Sequence, residues 1–113
     1  MTVTEMFVSV EVADMQRAIA FYVRVFGAEV AYASERWSSL MIAGVRLGLF
    51  HLPSHPGGRT GLHLAVSHEL TEAVAEVEAA GGRVAMPPTE VAPGVVTADV
   101  IDTEGNQLTL RAA

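Results

Sequence analysis

The residues able to do chemistry in this chain are few and restricted in type. Thirteen acids, four histidines and seven basic residues, all arginine, are spread over 113 positions, and there is no cysteine. Thiol nucleophiles, disulfides, zinc–thiolate sites and iron–sulfur clusters are therefore excluded. Glu11 and His63 have the types needed for an acid–base pair. Arg46 and Arg111 carry the forked guanidinium that suits a carboxylate or phosphate; the competing role for such arginines at strand ends is solvation or pairing with acids such as Asp99 or Glu11. Trp37 is the only tryptophan. It offers a stacking wall for a ligand or, equally, a packing or subunit-interface side chain. No histidine pair shows His-x-x-x-His spacing on a helix. His51 and His55 fall in or beside a Pro/Gly-rich stretch and read as surface residues. There is no Gly-x-Ser-x-Gly elbow, and Gly57-Gly-Arg-Thr-Gly61 lacks the strand-then-helix context of a phosphate-binding loop.

The elements that must position these residues come in two sets. Val8, Val10 and Val12 alternate with Phe7, Ser9 and Glu11, the period of a strand with one buried face. Asp14 is a suitable N-cap. Met15, Ala18, Ile19, Tyr22 and Phe26 then recur at helical spacing, and Gly27 ends the helix. The same grammar returns with Leu64 and Val66 alternating with His63, Ala65 and Ser67. Leu70, Ala73, Val74 and Val77 follow at helical spacing, each 55 positions after Met15, Ala18, Ile19 and Tyr22, with Gly81-Gly82 as the stop. This is an internal repeat. Three strand-like runs follow each helix: 28–34, 37–42 and 45–51 in the first half, and 83–86, 95–101 and 107–111 in the second. Turns are marked by Ala43-Gly44 and by Asp102 to Asn106.

The predicted fold class is α+β: two tandem βαβββ modules forming a curved mixed sheet around a cavity. Residues 1–113 read as one domain, with module one about 1–52, a linker about 53–61 and module two about 62–113. Neither half, at about 55 residues, is expected to bury enough surface alone. Each sheet has one face for its helix, and the other is left for the second sheet or for a ligand.

Strand parity gives the residues of that second face: Phe7, Ser9, Trp37, Ser39, Met41, Arg46, Gly48, Phe50, His63, Ala65, Thr97, Asp99, Thr109 and Arg111. The mix is aromatic and small-polar, which suits a planar or partly apolar ligand. Gly48 leaves room for a bulky ligand or marks a close backbone approach. Glu69, Glu72, Glu76 and Glu78 read as the solvated face of the second helix.

With net charge −6 and scattered arginines, the chain lacks the basic face of a nucleic-acid binder. No apolar run approaches the ~20 residues that span a bilayer, and the first residues lack the basic start and cleavage site of a secretory signal. A cytoplasmic location is expected, with no nucleic-acid or membrane partner. At 50% hydrophobic and 18% charged residues, the composition is that of a packed globule.

Two motifs carry a family resemblance. Asp14-Met-Gln-Arg-Ala-Ile-Ala-Phe-Tyr22 with Val25-Phe-Gly27, and Asp102-Thr-Glu-Gly-Asn-Gln-Leu-Thr-Leu110, resemble the first helix and last hairpin of the vicinal oxygen chelate superfamily. That superfamily includes glyoxalase I, bleomycin-resistance proteins, extradiol dioxygenases, fosfomycin-resistance enzymes and methylmalonyl-CoA epimerases. The resemblance covers essentially the whole chain; Thr103 stands where the family usually has proline. It implies paired βαβββ modules, a homodimer, and, in the family's enzymes, metal ligands at four inward strand positions. Here those positions fall on Phe7, Gly48, His63 and Thr109. A strict 55-residue offset would match Phe7 to Leu62; the helix-facing parity of Leu64 and Val66 selects His63. A catalytic divalent ion takes three protein ligands and an open position, and this set supplies one good donor. Glu11 and Asp99 share the inward parity without forming a close ligand motif.

The expectation is therefore a binding or sequestering protein of the bleomycin-resistance type. It would take a hydrophobic or aromatic small molecule, including an antibiotic, with no metal, no cofactor and no assigned catalytic residue. The alternative is a glyoxalase-like lyase, isomerase or dioxygenase with an atypical metal or acid–base site. A further alternative is an accessory domain whose cavity is closed by Phe7, Trp37 and Met41.

Overall fold

The computed structural model describes all residues 1–113. The chain forms two compact units, Met1–His55 and Pro56–Ala113, each a strand, a helix and three further strands. The first contains β1 (Val8–Val12), α1 (Met15–Phe26), β2 (Glu29–Tyr32), β3 (Trp37–Ile42) and β4 (Val45–His51). The second contains β5 (Gly58–Val66), α2 (Leu70–Ala79), β6 (Arg83–Ala92), β7 (Val95–Ile101) and β8 (Asn106–Ala112). The two sheets have equivalent orders, β1-β4-β3-β2 and β5-β8-β7-β6. In each, the first strand runs parallel to the last and the remaining pairs are antiparallel. The fold is thus α+β with two similar modules.

In the first unit the alternation of β1 puts Val10 and Val12 inside, with Leu40, Leu47 and Leu49 from the neighbouring strands. Helix α1 packs against β4 and β2, burying Met15, Ala18, Phe21 and Tyr22. Phe21 was not on the predicted stripe. It is one residue off the i, i+3, i+4 spacing, and its ring meets Tyr22 and Phe26 edge-on, at 5.3 and 6.0 Å between centroids. Ile19 and its repeat counterpart Val74 are both only half-buried. The Asp14 carboxylate accepts from the Arg17 amide at 3.0 Å, and Gly27 ends the helix in the left-handed conformation at φ 63°. This is the conformation a Cβ disfavours.

In the second unit α2 packs on β6, β7 and β8. Leu70, Ala73 and Val77 are buried, as are Ala98, Val100, Leu108 and Leu110. The helix begins at Glu69 without a side-chain cap and ends at Ala80. The Asp102–Asn106 turn is built around one carboxylate. Asp102 Oδ1 accepts from the amides of Glu104 (2.7 Å) and Asn106 (2.9 Å), and Oδ2 accepts from the Asn106 side-chain amide at 3.1 Å.

Two boundaries differ from the sequence reading for identifiable reasons. β6 continues past Met86 through Pro87 and Pro88 to Ala92. It lies at the edge of its sheet, and its register with β7 shifts between Met86 and Thr89. An edge position and a bulge are the two settings in which a strand tolerates proline. β5 begins at Gly58, inside the stretch 53–61 that composition marks as linker. The Gly58 amide donates to the Gly105 carbonyl at 3.0 Å, and a Cβ on Gly57 would stand 2.7 Å from that same oxygen. The glycines serve a close backbone approach here, not a flexible connection.

Candidate functional site

Register settles which side chains share the face opposite each helix. In the first unit, Ser9 pairs with Gly48 and Gly48 with Ser39, forming one row across β1, β4 and β3. Glu11, Phe50 and Trp37 form the row on one side. Arg46 and Met41 form the row on the other, with Phe7 beside them just before β1 starts. All eight predicted face residues of this module therefore lie together. They alternate with the buried set Val10, Val12, Leu40, Leu47 and Leu49.

The centre of this face is a contact between Trp37 and Gly48. A Cβ on Gly48 would stand 2.1 Å from the indole Cη2 and 2.7 Å from Cζ2. The room that glycine leaves is taken by the tryptophan's own six-membered ring. Phe7 meets Trp37 edge-on with centroids 6.0 Å apart, a favourable quadrupole arrangement. Phe7 (41%) and Phe50 (48%) remain exposed. The Arg46 guanidinium carbon lies 5.5 Å from the Phe7 ring centroid, within cation–π range. Arg46 Nη1 donates to the nearly buried Ser39 hydroxyl at 2.9 Å, and Nη2 is 3.5 Å from Glu5 Oε2. The acid facing Arg46 within its unit is thus Glu5, from the segment before β1, and not Glu11.

Glu11 is engaged elsewhere. His55 Nδ1 is 3.5 Å from Glu11 Oε2, and the His55 side chain is only 10% exposed. His51 Nε2 lies 3.2 Å from the Ala13 carbonyl. Neither histidine is the surface residue that composition implied, because the chain after β4 turns back on itself through the His55 amide to Leu52 carbonyl bond. The acid–base partner of Glu11 inside its own unit is therefore His55, whereas His63 belongs to the other unit.

In the second unit His63 pairs with Thr109 and Thr109 with Asp99, while Ala65, Arg111 and Thr97 form the next row. Leu64 pairs with the fully buried Leu110, so His63 stands on the face away from the helix. The Thr109 hydroxyl donates to Asp99 Oδ1 at 2.6 Å, and the Gln107 side-chain amide approaches Oδ2 at 3.5 Å. Arg111 is exposed near the end of β8.

The sequence model of the Glyoxalase/Bleomycin resistance protein/Dioxygenase superfamily matches residues 7–110, and the chain belongs to that superfamily. Among solved structures it is similar to the genomically encoded fosfomycin resistance protein FosX from Listeria monocytogenes, complexed with Mn(II) and sulfate. The TM-score is 0.76 at 20% identity, over 100% of this chain and 92% of that one. It is similar to a superfamily member from Sphaerobacter thermophilus, with TM-score 0.74 and 24% identity over 96% and 98% of the two chains. It is also similar to the bleomycin resistance determinant encoded on the transposon Tn5, with TM-score 0.70 and 20% identity over 96% and 98%. At these identities the likeness is one of fold. No curated protein sequence matches. No helix is long and apolar enough to cross a membrane.

The family implies a divalent ion in its enzymes, and the donors present do not fit one. Phe7 and Gly48 have no side-chain donor, and the Thr109 hydroxyl is given to Asp99. Register places Ser9, not Phe7, directly beside Gly48, which supplies only another neutral hydroxyl. No group of three or more His, Cys, Asp or Glu side chains comes together in a way that could hold a metal. The arrangement on the first sheet can stack an apolar or aromatic surface and present a guanidinium beside it.

Proposed function

We propose that the chain is a metal-independent binding or sequestering protein for a hydrophobic or aromatic small molecule, of the bleomycin-resistance type. The observation that carries this reading is the aromatic group on the first sheet, where Trp37 lies over Gly48 with Phe7 edge-on to it and Phe50 in the adjoining row. Exposed aromatic surface beside a few placed polar groups is the usual make-up of a small-molecule site. The superfamily and the fold shared with a bleomycin resistance determinant support it. We also propose that the protein acts in the cytoplasm as a homodimer. The edge strand β2, with Val30 and Tyr32 exposed, is the kind of edge that proteins cover.

Isothermal calorimetry against planar aromatic compounds and antibiotics, bleomycin included, tests the reading. Trp37→Ala and Phe50→Ala are each expected to weaken a bound compound about tenfold, a typical loss for a central aromatic contact. A ligand whose affinity neither substitution alters puts the site elsewhere. A sedimentation mass of one chain at micromolar concentration would remove the dimer.

A second reading, an acid–base lyase or isomerase, is favoured by the Glu11–His55 approach of 3.5 Å at the edge of the same face. Turnover lost in both Glu11→Gln and His55→Ala, and kept in His63→Ala, is the result that would support it over sequestration.

A further inference from the structure

Arg46 is held in a way that leaves its best binding edge half used. A guanidinium recognises a carboxylate most strongly when two parallel N–H groups meet the two oxygens. Nη1 is committed to Ser39 at 2.9 Å, which fixes the plane of the group. The edge that remains consists of Nε and Nη2. Nη2 meets Glu5 at 3.5 Å, well beyond the roughly 2.7–2.9 Å of a charge-assisted bond. Nε is buried with no hydrogen-bond partner. A buried donor left unmade is costly, on the scale of a lost hydrogen bond or more. The one carboxylate at this edge therefore touches it weakly and at one corner.

Glu5 is also poorly anchored. Its side chain is 57% exposed, it precedes β1 in a segment without helix or strand, and its neighbour Met6 is 90% exposed. Partly exposed ion pairs of this kind contribute little. Phe7, against which Arg46 packs, supplies an aromatic surface next to the same edge.

We propose that the face takes an aromatic or apolar ligand bearing a carboxylate. The ligand carboxylate replaces Glu5 at Nη2 of Arg46, and a small turn of the guanidinium brings the buried Nε into the same contact, while the ligand ring lies against Phe7 and Trp37. This rests on the binding reading above and adds the charge class of the ligand. Glu5 then acts as a weak internal competitor at the Nη2 corner when the face is empty.

The experiment compares 2-naphthoate with its neutral isostere 2-naphthamide by calorimetry at low salt. The wild-type protein is expected to bind the naphthoate at least about tenfold more tightly, as a charge-assisted bidentate contact requires. Glu5→Gln should strengthen the naphthoate further and leave the amide unchanged. Because that residue is exposed, the variant is a probe that does not depend on refolding the sheet. Arg46→Lys, which keeps the charge and loses the fork, should bring the two affinities together. Equal affinities in the wild type, both reduced by Trp37→Ala, overturn the carboxylate inference and leave the aromatic face standing. Binding of neither probe overturns both.

Discussion

The Trp37 indole lies so close over Gly48 that any side chain at residue 48 would enter the ring's own volume, at 2.1 Å from Cη2. The two are diagonal neighbours on adjacent antiparallel strands, since Trp37 pairs with Phe50 and Gly48 with Ser39. Diagonal pairs are within reach of aromatic side chains. The glycine makes the lower surface on which the tryptophan rests.

Gly48→Ala is accordingly expected to destabilise the protein by about 1–3 kcal/mol, the usual cost of overpacking. The clash is with a side chain and not with backbone, so the indole is expected to swing outward. Urea unfolding gives the energy, and a red shift of tryptophan emission reports the displacement. In a Trp37→Ala background the alanine at residue 48 should cost much less. Equal costs in both backgrounds would mean that the ring and the glycine are not coupled.

The two helix starts should respond differently to the same change. Asp14 accepts from the Arg17 amide, whereas Glu69 makes no capping bond. Asp14→Ala is expected to cost about 1 kcal/mol, and Glu69→Ala a few tenths at most, as for surface substitutions away from such features. Urea midpoints of the two variants against wild type decide this.

How much of this was legible follows from period and register. The period of two in β1 and the repeated helical stripe displayed both modules, because each element buries one face and exposes the other. Parity alone placed Trp37, Ser39, Arg46, Gly48 and Phe50 on one surface, since pairing in a sheet preserves facing. Parity does not say which residue stands opposite which. Register made Ser9 the cross-strand neighbour of Gly48, a pairing that neither parity nor the spacing of Phe7 before Asp14 specifies. Contacts set by chain reversals were not legible at all. Glu5 reaches Arg46 from a segment with no period, and His55 reaches Glu11 through a turn whose composition resembles a solvated linker. The strand across Pro87 and Pro88 was hidden for the opposite reason: local chemistry forbids it in a central strand, and only its place at the sheet edge permits it.

The Asp102 carboxylate is a second point where one residue fixes a turn. It is 3% exposed and accepts three hydrogen bonds. Asp102→Ala leaves several buried donors without acceptors and is expected to cost at least about 2 kcal/mol. Asp102→Asn keeps one oxygen for the two backbone amides and replaces the acceptor of the Asn106 side-chain amide by a donor, so its cost should be smaller than that of alanine. The ordering of the two denaturation midpoints is the check. Equal loss in both would show that charge, and not the acceptor geometry of the turn, is what stabilises it.

The two histidine–acid approaches should separate by burial and not by distance. His55 lies 3.5 Å from Glu11 with its side chain 10% exposed, while His68 lies 3.8 Å from Glu76 with both side chains about half exposed. Coulomb attraction between exposed groups is screened, so His68→Ala is expected to change stability by no more than about 0.5 kcal/mol. His55→Ala removes a largely buried side chain, and its cost should fall in the range of about 1–3 kcal/mol typical of buried substitutions. Glu11→Gln retains the shape of a half-exposed side chain and should cost less than His55→Ala. A double-mutant cycle between Glu11 and His55 then isolates their coupling. Non-additivity is expected there and absent between Glu11 and His68. Strictly additive losses would make His55 a packing residue alone, and would withdraw the observation that favours the acid–base reading.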